Sequence, residues 1–215
     1  TRYDENTLFL TGFAELALEL QREFNLLWQH SRDFEHAALP FELSSYEIDV
    51  IEDDPTTAAV FTSANFSPSG DTFRIVSGRD SVSDVLVAAI AGATQSIWIA
   101  SGHLRSRPVA EALLAKHAAS PSVDIRVYLD GQEYISDWYH GEQQRSLTDC
   151  LANATGSASR TRQCYDKGFY FGYELELAGI DVRYKYYAYR WDYSYADQMH
   201  HKYLIIDDEL WTGSY

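Results

Sequence analysis

From residue 81 to its end the chain alternates two incompatible hydrophobic periods, and few folds accommodate that alternation. SIWIAS (96–101) and VDIRVYL (123–129) are short apolar runs rich in β-branched residues, the pattern of buried strands. Before the first, Ser81 or Ser83 can cap a helix running through Val85, Leu86, Ala89 and Ile90. Between the two, Pro108 sits just inside a second helix reaching about Ala119. Further on, helix-compatible YELELAG leads into a strand over IDVRYKYY (180–187), followed by an apolar strand from Tyr203 to Ile206 and a hairpin. Strands alternating with helices predict an α/β/α sandwich with a largely parallel mixed sheet, because a parallel pair needs a crossover and a helix is its usual form. Functional groups in such sheets gather at strand ends.

The front of the chain is less regular. Thr7 to Leu10 is a short strand candidate, and Leu16, Leu20, Phe24 and Leu27 recur at helical spacing between Phe13 and Trp28, with Gln21, Arg22 and Glu23 assigned to the wet side. Residues 31–60 lack a period, hold Pro40, Pro55 and the acidic run Glu52 to Asp54, and read as a connector. The domain organisation expected is therefore 1–60, a strand, helix and connector, and 61–215, an α/β unit.

Composition narrows the function classes. A formal net charge of −15, from 32 acidic and 17 basic residues, repels polyanions at long range and supplies no counterion release, so strong nucleic-acid binding is not expected. No apolar run reaches the roughly 20 residues that cross a bilayer, and the first residues lack the plan of a signal peptide, which predicts a soluble chain processed or truncated at its start. Cys150 and Cys164 are the two cysteines, and the Ser-, Ala- and Asn-rich segment between them, LANATGSASRTRQ, reads as a surface loop. A disulfide closing it would place the protein in a secreted or periplasmic setting, and two free thiols are the alternative.

The end of the chain, HHKYLIIDDELWTGSY, carries the chemistry. Side chains alternate faces in a strand, so His200 and Lys202 share one side and His201 takes the other. An imidazole beside an ammonium suits a phosphate: the His can attack phosphorus or move a proton, and the Lys can neutralise charge on the equatorial oxygens. Asp207 opens a turn, and the returning strand brings Gly213 and Ser214 back toward the start of the hairpin. There Gly213 permits close backbone approach, and the Ser214 hydroxyl can donate to a phosphate oxygen.

The pattern H-x-K-x4-D followed by G-S, carried by His200, Lys202, Asp207, Gly213 and Ser214, resembles the signature of the phospholipase D superfamily. NFSPSGDTF, a helix, SIWIASGHL, a helix and DIRVYLDG are similar to the order of one phospholipase D half, over roughly residues 64–215. The front, YDENTLFLTGFAELALELQREFNLLW, resembles the segment that trails such a motif. The resemblance implies a phospholipase D-like sandwich and a metal-independent phosphodiesterase with no cofactor. One His forms a phosphohistidine and a partner His protonates the leaving oxygen. It also implies two motif-bearing halves, so that the chain is either the tail of a first half joined to most of a second, or a permuted single half. The second motif would come from a missing N-terminal part, a companion chain or a homodimer mate. Glu5 matches the acid that fixes the tautomer of a catalytic His. A phospholipid at an interface is preferred as substrate over nucleic acid because of the charge, with a nuclease and a non-catalytic binding module as alternatives.

Among the remaining residues, His103 ends a strand where α/β sites form and is a candidate pocket residue. The aromatic run YKYYAYRWDYSYADQ (184–198) precedes His200, and its Trp191, Tyr193 and Tyr195 are candidates for a substrate wall that could hold an acyl chain, a headgroup or a base. No zinc spacing, Gly-rich phosphate loop or G-x-S-x-G elbow is present in the sequence.

Overall fold

The computed structural model describes residues 3–4, 10–30, 57–69, 72–185 and 198–213, and the chain divides into two compact units, Leu8–Val85 and Thr1–Thr7 with Leu86–Tyr215. The smaller unit holds helix α1 (Ala14–Gln29) and an antiparallel hairpin of β2 (Phe66–Ser69) and β3 (Thr72–Ile75). Helical spacing located α1 but misjudged its surroundings. Glu19 accepts from the Ala59 N–H and Glu23 from the Ser63 hydroxyl, so Glu23 is not on a purely wet side. Leu20, Phe24 and Leu27 stay about half exposed, because the carboxylates rather than the apolar stripe face the 57–63 segment. Helix α2 (Ser81–Gly92) crosses the unit boundary, and its first residue is fixed in the smaller unit: the Ser81 N–H donates to Asn65 Oδ1 and its hydroxyl to the Phe61 carbonyl.

The larger unit is built on a five-stranded mixed sheet. Its strands are β4 (Ser96–Ser101), β5 (Asp124–Leu129), β6 (Asp181–Tyr184), β8 (Lys202–Ile206) and β9 (Glu209–Thr212), in the spatial order β6-β5-β4-β8-β9. β6, β5 and β4 run parallel, while β8 lies antiparallel to β4 and β9 antiparallel to β8. The two parallel pairs are the ones joined through helices. Helix α3 (Arg107–Ala119) links β4 to β5, and α4 (Asp137–Asn153), α5 (Ala158–Tyr165) and α6 (Gly172–Leu177) lie between β5 and β6. Stepping from β4 to β5 to β6 always in one direction, right-handed crossovers bring their helices to one face of the sheet. That face holds the core: Ile97, Ile99, Ile125, Val127, Leu129 and Ile206 are buried, with Ile90, Leu113 and Leu175 from α2, α3 and α6. The opposite face leaves Trp98 and Tyr128 43% and 41% exposed.

The segment between the cysteines is mostly helical, the end of α4 and most of α5 with a turn at 154–157 between them. α4 is capped by Ser136, whose hydroxyl accepts from the Tyr139 N–H, and α5 by Ser157, which accepts from the Arg160 N–H. Within the segment read as a surface loop, Ser157 is the cap of α5. Cys150 and Cys164 form a disulfide between α4 and α5, with Cα atoms 5.7 Å apart. A two-residue strand β1 (Tyr3–Asp4) pairs in parallel with β7 (Gln198–Met199), immediately before His200. No described helix is long and apolar enough to cross a membrane.

Candidate active site

Register brings three chain segments to one end of the sheet. β4 and β5 end together, Ser101 opposite Leu129, and antiparallel β8 begins there, Lys202 opposite Ser101. The residues just beyond the carboxyl ends of β4 and β5 therefore meet those just before β8: Gly102, His103 and Arg105 from the first, Asp130 and Glu133 from the second, Met199 and His200 from the third.

Backbone ties lock this junction. The Gly102 N–H donates to the His201 carbonyl at 3.0 Å, and Asp130 Oδ2 accepts from the Met199 N–H at 2.7 Å while Oδ1 accepts from Gln132. Gly102 has to be glycine. A Cβ there would stand 2.7 Å from the Met199 carbonyl oxygen and 3.8 Å from the His200 Cα, and the obstacle is main chain that has no rotamer to change. Lys202 folds its Nζ over the His200 carbonyl at 3.0 Å, and its own carbonyl accepts from the Thr212 hydroxyl at 3.0 Å and the Gly213 N–H at 3.4 Å. The hairpin thus returns Gly213 beside Lys202. The His201 ring lies 6.0 Å from that of Tyr203 in an edge contact, on the side away from Lys202.

A second cluster adjoins the first. Glu133 is fully buried, and its Oε1 lies 2.6 Å from His103 Nδ1 while accepting from Arg105 Nη2 at 2.8 Å and Nε at 3.2 Å. Glu133 Oε2 is buried without a hydrogen-bond partner among the described residues. Arg105 lies 4.6 Å from the centre of the Tyr170 ring. Burial, then the carboxylates of Glu176 and Glu133, push the Tyr184 phenol up to about 12, so it stays protonated near neutral pH. Asp130 and Glu133 are both 0% exposed, while the side chains of His103 and Arg105 are 42% and 40% exposed. At this end of the sheet Asp130, Glu133 and Lys185, just beyond β6, are buried, while His103 and Arg105 reach the surface.

The H-x-K-x4-D pattern is divided in space. Asp207 stands at the other end of β8, five residues from Lys202 and hence about 17 Å along the strand. Its carboxylate accepts from the N–H groups of Thr94, Gln95 and Ser96 and from the Thr94 hydroxyl at 2.8–2.9 Å. Those donors, the backbone N–H of Ser96 foremost, hold it well below the usual carboxylate range. At φ 53° it also starts the two-residue turn into β9, a conformation that Asp tolerates better than most residues. Grouped with the catalytic residues from its spacing, Asp207 occupies a tethering position.

The family model described as cardiolipin synthase, PLD-like domain, matches residues 86–215, more than half of the chain. The chain belongs to this phospholipase D-like family. The matched span coincides with the main segment of the larger unit, which holds both clusters and the H-x-K strand. A solved structure of a phospholipase D family member, Nuc from Salmonella typhimurium, is similar at 20% identity, with a TM-score of 0.35, over 64% of this chain. The match covers 66% of that chain. No curated protein sequence matches.

Of the residues singled out from the sequence, the structure brings His103, His200, Lys202 and Gly213 to one end of the sheet and separates Asp207. Glu5, Ser214, Trp191, Tyr193 and Tyr195 lie outside the described residues. Arg105, Asp130 and Glu133 carry no motif and were not anticipated. The signal available for them was position alone, just after the carboxyl ends of two parallel strands.

Proposed function

We propose that the protein is a phosphodiesterase of phospholipase D type, cleaving through a phosphohistidine, with a phospholipid as the preferred substrate. The observation that carries this reading is the sheet end at which His200 and Lys202 meet exposed His103 and Arg105 while both neighbouring carboxylates are buried. Membership of the phospholipase D-like family supports phosphodiester chemistry; the net charge of −15 supports a lipid over a polynucleotide. In this reading His200 serves as nucleophile or proton donor and Lys202 binds phosphate. Gly213 and Ser214 support the phosphate from the returning strand, and Asp207 holds the strand that carries the motif. Residues 61–215 form the half-domain with the motif, residues 1–60 trail a first half, and a second motif comes from a further half or a homodimer mate. Glu5 orients a catalytic His, Trp191, Tyr193 and Tyr195 wall the substrate, and the disulfide suits a secreted or periplasmic protein.

The test is His200→Asn. It should abolish hydrolysis of both a generic phosphodiester and a phosphatidylcholine vesicle while leaving the circular dichroism spectrum unchanged. Undiminished turnover in the variant refutes the reading. A wild-type chain that binds orthovanadate, a mimic of pentacoordinate phosphorus, yet turns over no diester is instead a binding module of this fold.

A further inference from the structure

The segment that leaves β5 carries more than the buried acids Asp130 and Glu133. It also places Tyr134, Trp138 and Tyr139 on the surface, and Trp138 and Tyr134, 69% and 63% exposed, are the two most exposed aromatic side chains among the described residues. We infer that these three rings are the surface by which the chain docks on a zwitterionic phospholipid membrane. The choice of a lipid rests on the phosphodiesterase reading, and the inference adds how the site meets that lipid.

The exposure is imposed by the fold. Glu133 and Ile135 are buried on either side of Tyr134, so the alternation of the chain turns the Tyr134 ring outward. Ser136 caps α4 by accepting from the Tyr139 N–H at 3.3 Å, and Asp137 Oδ1 accepts from the Tyr173 hydroxyl at 3.1 Å, which fixes the turn that carries Trp138. The Tyr134 and Tyr139 rings rest edge-on against those of Tyr184 and Tyr170, with centroids 5.5 and 5.9 Å apart. Rings already held in place lose little freedom on docking.

Their chemistry suits a membrane surface. The Trp138 indole N–H and the hydroxyls of Tyr134 and Tyr139 have no hydrogen-bond partner among the described residues. An apolar ring that ends in a spare donor matches the headgroup layer of a bilayer, where the ring meets acyl chains and the donor meets ester or phosphate oxygens. Charge narrows the kind of lipid: a chain of net charge −15 with Asp137 beside Trp138 is repelled by an anionic surface, and a zwitterionic one carries no such cost.

The patch is also continuous with the candidate site. Glu133, next to Tyr134, holds Arg105, whose guanidinium lies 4.6 Å from the centre of the Tyr170 ring on which Tyr139 rests. Asp130, at the start of the same segment, holds the Met199 N–H. The rings therefore border the sheet end at which β8 begins, and the depth that interfacial aromatics reach is that of a phospholipid's own phosphodiester.

Cosedimentation of the full chain with phosphatidylcholine vesicles tests this, alongside turnover of vesicle phosphatidylcholine and of a short-chain phosphatidylcholine kept below its critical micelle concentration. Trp138→Ala should weaken vesicle binding about 10-fold and Tyr134→Ala/Trp138→Ala about 10²-fold, and the ratio of vesicle to monomer turnover should fall in step. Binding should survive a rise from about 0.1 to about 1 M salt and weaken when phosphatidylglycerol is added. Variants that bind vesicles as the wild type does, or binding that needs anionic lipid and is released by salt, overturn the inference. A wild type that cleaves the monomeric substrate without binding vesicles overturns it and leaves the phosphodiesterase reading standing; one that binds vesicles through these rings and cleaves neither substrate overturns that reading and leaves the docking surface. Self-association that the double variant abolishes, with no vesicle binding, overturns the inference in favour of a second copy of the chain. Should the double variant lose its circular dichroism signal, Trp138→Ala alone serves the same comparison.

Discussion

Asp130 is the residue whose replacement most sharply separates a tethering role from a bystander one. It is fully buried, and its two oxygens accept from the Met199 N–H at 2.7 Å and the Gln132 N–H at 2.9 Å. Asp130→Asn preserves shape and volume but replaces one acceptor oxygen with an NH2 group, so one of the two backbone donors faces another donor. The variant loses a charge-assisted hydrogen bond, worth about 1.5–3 kcal/mol, and leaves a buried N–H unsatisfied at a cost of about 1–3 kcal/mol. The two contributions overlap, so the expected destabilisation is about 3 kcal/mol rather than their sum. With a urea slope of about 2 kcal/mol per molar, the midpoint of the larger unit should fall by about 1.5 M.

Global unfolding cannot say where the loss occurs, and amide hydrogen exchange can. Where the amide flips to leave Met199 without its acceptor, its exchange should accelerate about 10²-fold, the equivalent of about 3 kcal/mol. Because Met199 precedes His200, phosphodiester turnover should drop by up to about 10²-fold, the loss expected from misplacing a reacting group by about an ångström. An unchanged urea midpoint together with an unchanged Met199 exchange rate would refute the reasoning, since both follow from one bond.

Three further outcomes are expected. Gly102→Ala, with a Cβ at 2.7 Å from a backbone oxygen, should displace His200 and cut turnover by at least about 10-fold while the far-UV spectrum is kept; wild-type activity in the variant contradicts the close approach. The Cys150–Cys164 bridge closes a loop of sequence separation 14, so Cys150→Ser/Cys164→Ser should be about 3 kcal/mol less stable by thermal unfolding, and a loss below about 0.5 kcal/mol argues against the bridge. The folded-state pKa of Asp207 is depressed, so its stabilisation is complete above the ordinary carboxylate range and is lost progressively as pH falls from that range toward the depressed folded-state value. The urea-midpoint gap between wild type and Asp207→Asn should shrink from about pH 7 to about pH 3, and a gap independent of pH contradicts the four-donor tie.

What could be read from the sequence was whatever depends on neighbours in the chain. SIWIAS and DIRVYL are strands because β-branched apolar residues recur within six positions, and α3 carries Pro108 in its first turn, where proline fits. The segment between the cysteines went astray for a related reason. Ser157 looks like a loop residue by composition, and only the N–H it accepts from distinguishes a cap from a loop. The helix at 14–29 was legible from its period, whereas what lies against its stripe is decided elsewhere in the chain. At the site the same division holds. His200 and Lys202 sit two residues apart and show up as a pattern, but Glu133 reaches His103 across 30 residues and Asp130 reaches Met199 across 69. No local spacing encodes those contacts.

The placement of Asp207 shows how the far end of a strand can fix which residues face the candidate site at its start. Side chains in β8 alternate with period two, so a one-residue slip against β4 would exchange His200 and Lys202 for His201 and Tyr203 on the site side. The apolar residues alone guard poorly against it: Tyr203, Leu204, Ile205 and Ile206 form an unbroken run that either face accepts. The latch on Thr94, Gln95 and Ser96 does discriminate. Three consecutive N–H groups and a hydroxyl meet one carboxylate, and moving the strand by one position carries that carboxylate about 3.3 Å and to the opposite face, breaking all four bonds. At the other end the Gly102 N–H and the Asp130 carboxylate grip the residues on either side of His200. His200 is thus held from both ends of its strand, and Asp207 selects which of two adjacent imidazoles, His200 or His201, shares a side with Lys202.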